Sequence, residues 1–568
     1  MRSPIALAAA VAGVFLLHAL FLNGVAEDAF ITFRYARHLI EGHGLVWNVG
    51  EAPVEGYTNF LWVLLTAGFL RMGVDPGLGA QLLGVLASLL TLLYAYRAGT
   101  RILGWPPPAA LVPCLFLALC GPFATWAGAG LETNLFGALL LVGVFHFARY
   151  WQDAGRRHLW ICFGALGLSM LTRPEGALVY AIVLAVGSVA AAGRRGAWRA
   201  FAAPVGVSLG LFAVYFAWRW SYFGYPLPNT FYAKTGGSWA QYARGARYAG
   251  LFLLHFGLPW APLLVVASLT RPPAPARDVG RVDWLREHAL LVTCGAIAVA
   301  YTAYIVWVGG DYMAMYRFFA PILPFLYLLA GWVVRRAAAE AGSPGRRTLV
   351  AGGIAVAALG TLVHSTPLEA RLFEKPDRIH GNYRGVQTER WHVSRLSTLG
   401  HFFARYASPG ESLATDGIGA IAYYSRLRVF DVHGLVDPHI AHQRRQAERI
   451  GTGWAGHDRS DFAYVLAKRP TYVMFGRELR PRKPPQALAR ALFSPEITSR
   501  YELVSVWLED FGNGEAGWFS FLQRRDRDAA RARGPAGQGR RSRPRSEQAP
   551  EGRAQRGEAA RRRAPPKG

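Results

Sequence analysis

The sequence is poor in the groups that mark many soluble enzymes. Its 568 residues include only four cysteines, and Cys114, Cys120, Cys162 and Cys294 all fall inside apolar runs. They read as small core residues, and no disulfide framework is expected. Charge is scarce at 17% of residues, against about a quarter in soluble domains. Acidic residues are the scarcer sign, 36 against 62 Lys and Arg. There is no GxxxxGK[ST] loop, which argues against an ATP-driven pump. No DxD pair of the nucleotide-sugar kind sits in a soluble region large enough to hold such a donor. No CxxC or HExxH frame marks a metal site. No inverted repeat argues for a transporter.

What is present is apolar sequence, 52% of the chain, in blocks long enough to span a bilayer at about 20 residues each. Spans are expected near 5–23, 77–96, 107–124, 132–149, 158–172, 176–192, 201–219, 249–269, 288–307, 319–335 and 348–364, about 11 in all. The first is read as a retained helix, because no small-residue cleavage site precedes Glu27. The fold class expected is a polytopic α-helical membrane protein. Much of the formal charge of +26 lies in short loops between spans, which assigns it to the cytoplasmic side and away from nucleic acid. The apolar run 59–74, about 15 residues, is too short to fit this alternation as a span and reads as re-entrant or interfacial. The N-terminus is then cytoplasmic.

This topology leaves the loops 24–76, 125–131, 173–175, 220–248 and 308–318 on the outer face, where the chemically unusual stretches collect. The stretch 27–59 is the richest. Glu27 and Asp28 sit where the chain leaves the bilayer, followed by an apolar spacing at Phe30, Phe33, Leu39 and Ile40 that predicts an amphipathic helix on the membrane surface. The acidic pair either caps that helix or supplies a base for sugar transfer from a lipid phosphate. The phosphate leaving group of such a reaction needs cationic partners; Arg34, Arg173, Lys234 and Arg317 are the candidates, with Tyr232 beside Lys234. Glu132 caps the next span or supports a ligand. Arg173 and Glu175 either pair structurally in a hairpin or serve a site at membrane depth. In YPLPNTFYAK (225–234), Asn229 fixes a turn before Tyr232 and Lys234, which suit a sugar phosphate or, for Lys234, snorkelling to the interface. In GGDYMAMYRFF (309–319), Asp311 and Arg317 form a structural pair or a binding pair.

Residues 1–364 are expected to form the membrane domain, with amphipathic helices in the outer loop 24–76. Residues 365–525 alternate short β-like and helix-like runs and are expected to form an α/β domain outside the membrane. There, His433 and Asp437 read as strand-end polar groups that touch donor or acceptor. Residues 526–568 have the composition of a disordered basic tail, able to meet anionic lipid.

The acidic pair, FRYAR, EGHGLVWN, VEGYTNFLW, LTRPEGAL, PNTFYAK, VGGDYM…RFFAPILP and GLVDPHIA together resemble the bacterial polytopic glycosyltransferases of the GT-C superfamily, on the branch of the mycobacterial terminal arabinofuranosyltransferases. The resemblance runs over about residues 24–445. It implies a polyprenyl-phosphate sugar donor, an extracytoplasmic site, a place in a bacterial inner membrane and an acidic catalytic base in the first outer loop. On this sequence that base is Asp28, with Glu27 beside it. Many members carry two aspartates there, and Glu27 leaves open which of the pair acts. The function expected is inverting transfer of a sugar, arabinofuranose in the best-known relatives, to an envelope glycan, lipid or protein. Glu55, Tyr57 and Asn59 then fall to the sugar and acceptor site with Glu132, Asn229, Asp311, His433 and Asp437. No cofactor follows from the residues; the resemblance leaves room for a divalent metal. A flippase for the lipid-linked sugar and a non-catalytic envelope assembly protein are the alternatives.

Overall fold

The computed structural model describes residues 4–194, 196–268, 280–339, 344–368 and 383–527. The basic tail, apart from its first two residues, lies outside these ranges. The first helix, α1 (Pro4–Phe21), is apolar along its whole length, with Leu17 and Leu20 about 70% exposed. Large apolar side chains are likewise turned outward on Ala197–Phe223 and Ala289–Val308, among them Leu211, Val214 and Val299. Helices apolar all round with exposed leucines and valines are what lipid covers. The chain is a multi-pass membrane protein.

Six described helices are long and apolar enough to cross a membrane alone, and one bent pair makes a seventh. That pair is Pro107–Leu119 with Gly121–Gly128, bent by 63° at Cys120. Pro122, which lacks a backbone N–H to continue the ladder, begins the second limb. Phe60–Arg71, Gly176–Ala191 and Arg347–Val363 are apolar but shorter. By length and composition the described helices fall short of the expected count of about 11. The run 59–74 forms α3 (Phe60–Arg71); its 12 residues rise only about 18 Å, less than the hydrocarbon core.

Between α1 and α3 the chain forms α2 (Ala29–Ile40), and here the structure corrects the expectation of a membrane-surface helix. Ten of its twelve residues are buried. It packs on α3 and on the helix Gly419–Ser425, where Phe30 and Phe33 meet the Tyr423 ring, so protein covers both its faces. Arg34 donates to the carbonyls of Trp47, Ala422 and Leu427 and to Asn48 Oδ1, at 2.7–3.1 Å. Arg37 donates to Tyr423 O and stacks on the Tyr423 ring. The periodicity was that of a helix between two protein layers.

The C-terminal region carries a mixed five-stranded sheet of order β2-β1-β3-β5-β4. Strand β1 (Ser412–Thr415) runs parallel to β2 (Arg428–Asp431) on one side and to β3 (Tyr472–Val473) on the other. Strands β4 (Tyr501–Leu508) and β5 (Gly517–Arg524) form an antiparallel hairpin joined to β3. The long helix Tyr383–Tyr406 and the short helix Gly419–Ser425 pack together. The short helix also packs on α2, so the carboxyl ends of the parallel strands come close to the loop that leaves α1.

Candidate active site

Three carboxylates start helices at this junction, and none caps its own helix. Asp28 precedes α2, Glu132 precedes Thr133–Asp153, and Glu175 precedes Gly176–Ala191, each without a side-chain bond to the helix amides. All three instead line a cavity of about 680 Å³ between these helix ends and the C-terminal region.

Four cations line the same cavity: Arg173, Lys234, Arg244 and Arg317. Arg173 is held by Glu132 at 2.8 Å and Glu175 at 2.5 Å. Arg244 pairs with Asp458 at 2.9 Å. Arg317 reaches Asp311 at 2.6 Å and Asp28 at 3.3 Å. Lys234 alone of the four has no ion pair among the described residues. It closes the helix Asn229–Lys234, and Gly456, at a φ of 85°, passes close to its stem, where a Cβ would lie 3.1 Å from its Cε. Burial pushes the Lys234 ammonium down from its ordinary value, with Asp28 opposing. Arg317 is pushed down by burial, but Asp311 and Asp28 lift it above its ordinary value.

Backbone strain aims Arg317. Met315 and Tyr316 have φ of 56° and 44°, the left-handed region that such side chains avoid. Trp126 Nε1 donates to Met315 O at 2.8 Å and fixes the turn. Two glycines at positive φ, Gly309 and Gly310, precede Asp311; a Cβ on Gly310 would lie 2.7 Å from Tyr248.

Asp28 and Glu27 face different partners. Burial raises the Asp28 carboxyl, but Lys234 and Arg317 pull harder and hold it below its ordinary value, so it is ionised and at the cavity wall. Tyr312 OH lies 3.5 Å from its Oδ1. Glu27 turns the other way. Its Oε1 accepts from the amides of Gly419 at 2.5 Å and Ala420 at 3.2 Å, and its own amide donates to Glu389 at 2.8 Å. Burial, then the charges of Asp28 and Glu389, push Glu27 up to about 8.

Of the residues read from the sequence, Asp28, Tyr57, Asn59, Glu132, Arg173, Lys234, Asp311 and Arg317 line this cavity. Asn59 donates to Glu132 at 2.7 Å. The Tyr57 hydroxyl is buried with no hydrogen-bond partner among the described residues. Glu175 lines the cavity as well, and the remaining ones stand elsewhere. Arg34 cannot hold a phosphate while its donors serve the four acceptors named above. Glu55 pairs with Arg219 inside the protein. Asn229 donates to the carbonyls of Gly434 and Leu435. Tyr232 stacks on His442 at 4.1 Å. Asp437 caps the helix Pro438–Ala441 and pairs with Lys468 at 2.6 Å. His433 Nδ1 lies 2.9 Å from Arg459 O.

The sequence reading missed Arg219, Arg244, Tyr312 and Glu389. Arg219 had a signal, an arginine inside the apolar run AWRWSYF; Arg244 and Glu389 had none. Among the described residues no group of three or more His, Cys, Asp or Glu is placed to hold a metal. The cavity carboxylates are tied to arginines, so this donor set does not fit a divalent cation. The apolar wall is formed by Leu178, Phe231, Tyr304, Trp307 and Phe318 among others.

Two curated proteins are similar in sequence. The terminal β-(1→2)-arabinofuranosyltransferase of Mycobacterium tuberculosis is 29% identical over 336 residues, 53% of this chain and 51% of that protein. The protein of the same name from Corynebacterium glutamicum is 28% identical over 357 residues, 56% and 50% of the two chains. The chain thus spans about half the length of the curated relatives it matches. A family model described as a domain of unknown function, DUF8728, matches residues 381–529. ArnT from Cupriavidus metallidurans in the apo state superimposes with a TM-score of 0.50 at 15% identity, covering 75% of this chain and 85% of that one. The expected resemblance holds in both sequence and shape, and the fold is of the GT-C type.

Proposed function

We propose that the protein is a membrane glycosyltransferase that moves a sugar from a polyprenyl phosphate to a hydroxyl of an envelope glycan, lipid or protein. The observation that carries this reading is that an ionised carboxylate, Asp28, and a lysine without an ion pair among the described residues, Lys234, share one cavity that also has an apolar wall. An amphiphilic donor needs both surfaces. Its phosphate takes the charge that Lys234 lacks, supported by Arg317. The sugar lies against Tyr57 and Asn59, which line the same cavity.

In the transfer, the acceptor hydroxyl oxygen bonds to the anomeric carbon as the bond from that carbon to the phosphate oxygen breaks. The bonding pair leaves with the polyprenyl phosphate, and the hydroxyl proton passes to Asp28. Attack opposite the leaving group inverts the anomeric centre. Arabinofuranose is the sugar proposed, since the names of both curated relatives carry it. The site is assigned to the outer face of a bacterial inner membrane, with the N-terminus in the cytoplasm, from the distribution of arginine among the loops. Glu27 is assigned as a positioning residue that anchors the base-bearing loop.

Purified protein in detergent, given radiolabelled polyprenyl-phosphate arabinofuranose and envelope-glycan acceptors, tests the reading. Wild type is expected to form product. Asp28→Asn is expected to lose roughly 100- to 10,000-fold of the rate while keeping donor affinity. Near-normal turnover by Asp28→Asn removes the base from this position.

A further inference from the structure

The carboxyl ends of the three parallel strands form a second polar constellation that the transfer chemistry does not use. From β1 the chain passes to β2 on one side, and β3 arrives later on the other side of β1. Strand order therefore reverses beside β1, and the crevice outside the carboxyl ends at such a switch point is where open α/β sheets bind ligands. Asp416 directly follows β1. His433 follows β2 by two residues, and Arg477 follows β3 by four.

Asp416 and Arg477 form an ion pair across this crevice, with side chains 50% and 26% exposed. His392, from the helix Tyr383–Tyr406, stands 3.2 Å from Arg477 Nη1. A Cβ on Gly417 would come within 3.1 Å of the Arg477 guanidinium, so glycine there leaves room for the approach. An exposed, planar carboxylate beside a planar guanidinium presents paired acceptors and donors at the spacing of neighbouring hydroxyls.

The constellation leads back to the base. The His433 ring lies 4.9 Å from the His457 ring, and His457 lies 5.1 Å, edge to face, from Tyr312. Tyr312 in turn reaches Asp28. Ala455, two residues before His457, already lines the cavity. A path of rings thus runs from the strand ends to Asp28, of the kind on which the apolar faces of a sugar stack.

We propose that this crevice is the acceptor subsite and that its ligand is a carbohydrate. Asp416, Arg477 and His392 hold one sugar unit, and the next unit passes over His457 and Tyr312 to place its hydroxyl at Asp28. The inference rests on the transfer reading given above, and its test separates the two.

The test uses the full-length protein, with the octyl disaccharide that wild type glycosylates best from a panel of pentosyl and hexosyl disaccharides. Asp416→Asn, Arg477→Ala and His392→Gln are compared with wild type for acceptor KM, for polyprenyl-phosphate binding and for hydrolysis of the donor by water. Acceptor KM is expected to rise at least tenfold in the Asp416 and Arg477 variants, while donor binding and hydrolysis stay within twofold. Arg477→Lys, which keeps the charge, is expected to recover part of the loss. Should Arg477→Ala not fold, the Asp416 and His392 variants decide. Unchanged acceptor KM in folded variants overturns the subsite and leaves the transfer reading standing. Absence of any transfer by wild type overturns the transfer reading and the subsite with it.

Discussion

Asp28 and Arg317 meet at 3.3 Å, and the guanidinium is held from its other side by Asp311 at 2.6 Å. Asp311 thereby shares the arginine and keeps it from closing fully on Asp28, the proposed base. Replacing Asp311 with Asn is expected to release Arg317 toward Asp28. The rate should then fall, by up to roughly 100-fold for an ångström of displacement, with little change in donor binding. Single-turnover measurements with donor at saturation check this; a loss confined to donor affinity would contradict it.

Lys234→Met removes the cation that has no ion pair among the described residues and keeps the length of the side chain. A charged hydrogen bond of about 1.5–3 kcal/mol is at stake, or roughly 10- to 150-fold in affinity. Direct binding of polyprenyl phosphate should show that loss in Lys234→Met. A variant with wild-type affinity would place the phosphate elsewhere.

The acid limb of the rate profile identifies the base. Asp28 lies below its ordinary value of 3.8, so kcat/KM should persist down to about pH 4 and fall only below it, as the base takes a proton. Glu27 is pushed up to about 8 and Glu389 to about 7, in both cases chiefly by burial. An acid limb between pH 7 and 8 would therefore point to one of them. The same two groups bind more protons in the folded than in the unfolded state between their ordinary value of 4.5 and about 8. Their contribution should stabilise the fold at low pH and be lost as pH rises through that window, a trend that Glu27→Gln should flatten in thermal unfolding.

Arg34→Lys keeps the charge and loses the planar fork. Four acceptors within the protein then lack part of their donors, and stability should fall by about 3 kcal/mol or more. Donor affinity in the folded fraction should not change. A selective loss of donor affinity would return Arg34 to the phosphate site.

Gly419→Ala places a Cβ 2.7 Å from Glu27 Oε1 and against the Glu27 carbonyl. The loop carrying Asp28 must shift. A fall in rate with unchanged acceptor and donor affinity is expected, although residue 419 lines no part of the cavity.

The legible part of the site came from residue type at membrane boundaries. A carboxylate or cation at the outer end of an apolar run is costly unless it has work to do, and Asp28, Glu132, Arg173 and Arg317 were read that way. Such residues say nothing about which way they face. Arg34 and Asp28 lie within two turns of one another on the sequence, yet Arg34 serves backbone carbonyls contributed from nearly 400 residues away. Glu27 and Asp28 are neighbours with opposite orientations, and only the position of Gly419 and Ala420 decides it. The buried setting of α2 was hidden for the same reason, since a helix between two protein layers shows the periodicity of one on lipid. The sheet lay within reach of the short β-like runs of 365–525, but the switch point beside β1 depends on strand order, which no local pattern carries.

The grip of residues 419 and 420 on Glu27 sets a rule for recombining this protein with its relatives. A chimera that takes the loop after α1 from one parent and its sheet from another splits a contact spanning 392 positions. Crossovers placed anywhere between the two halves will inherit mismatched partners unless positions 27, 419 and 420 travel together. Parents bearing aspartate at the first of these positions have a shorter reach and need a closer backbone to meet it.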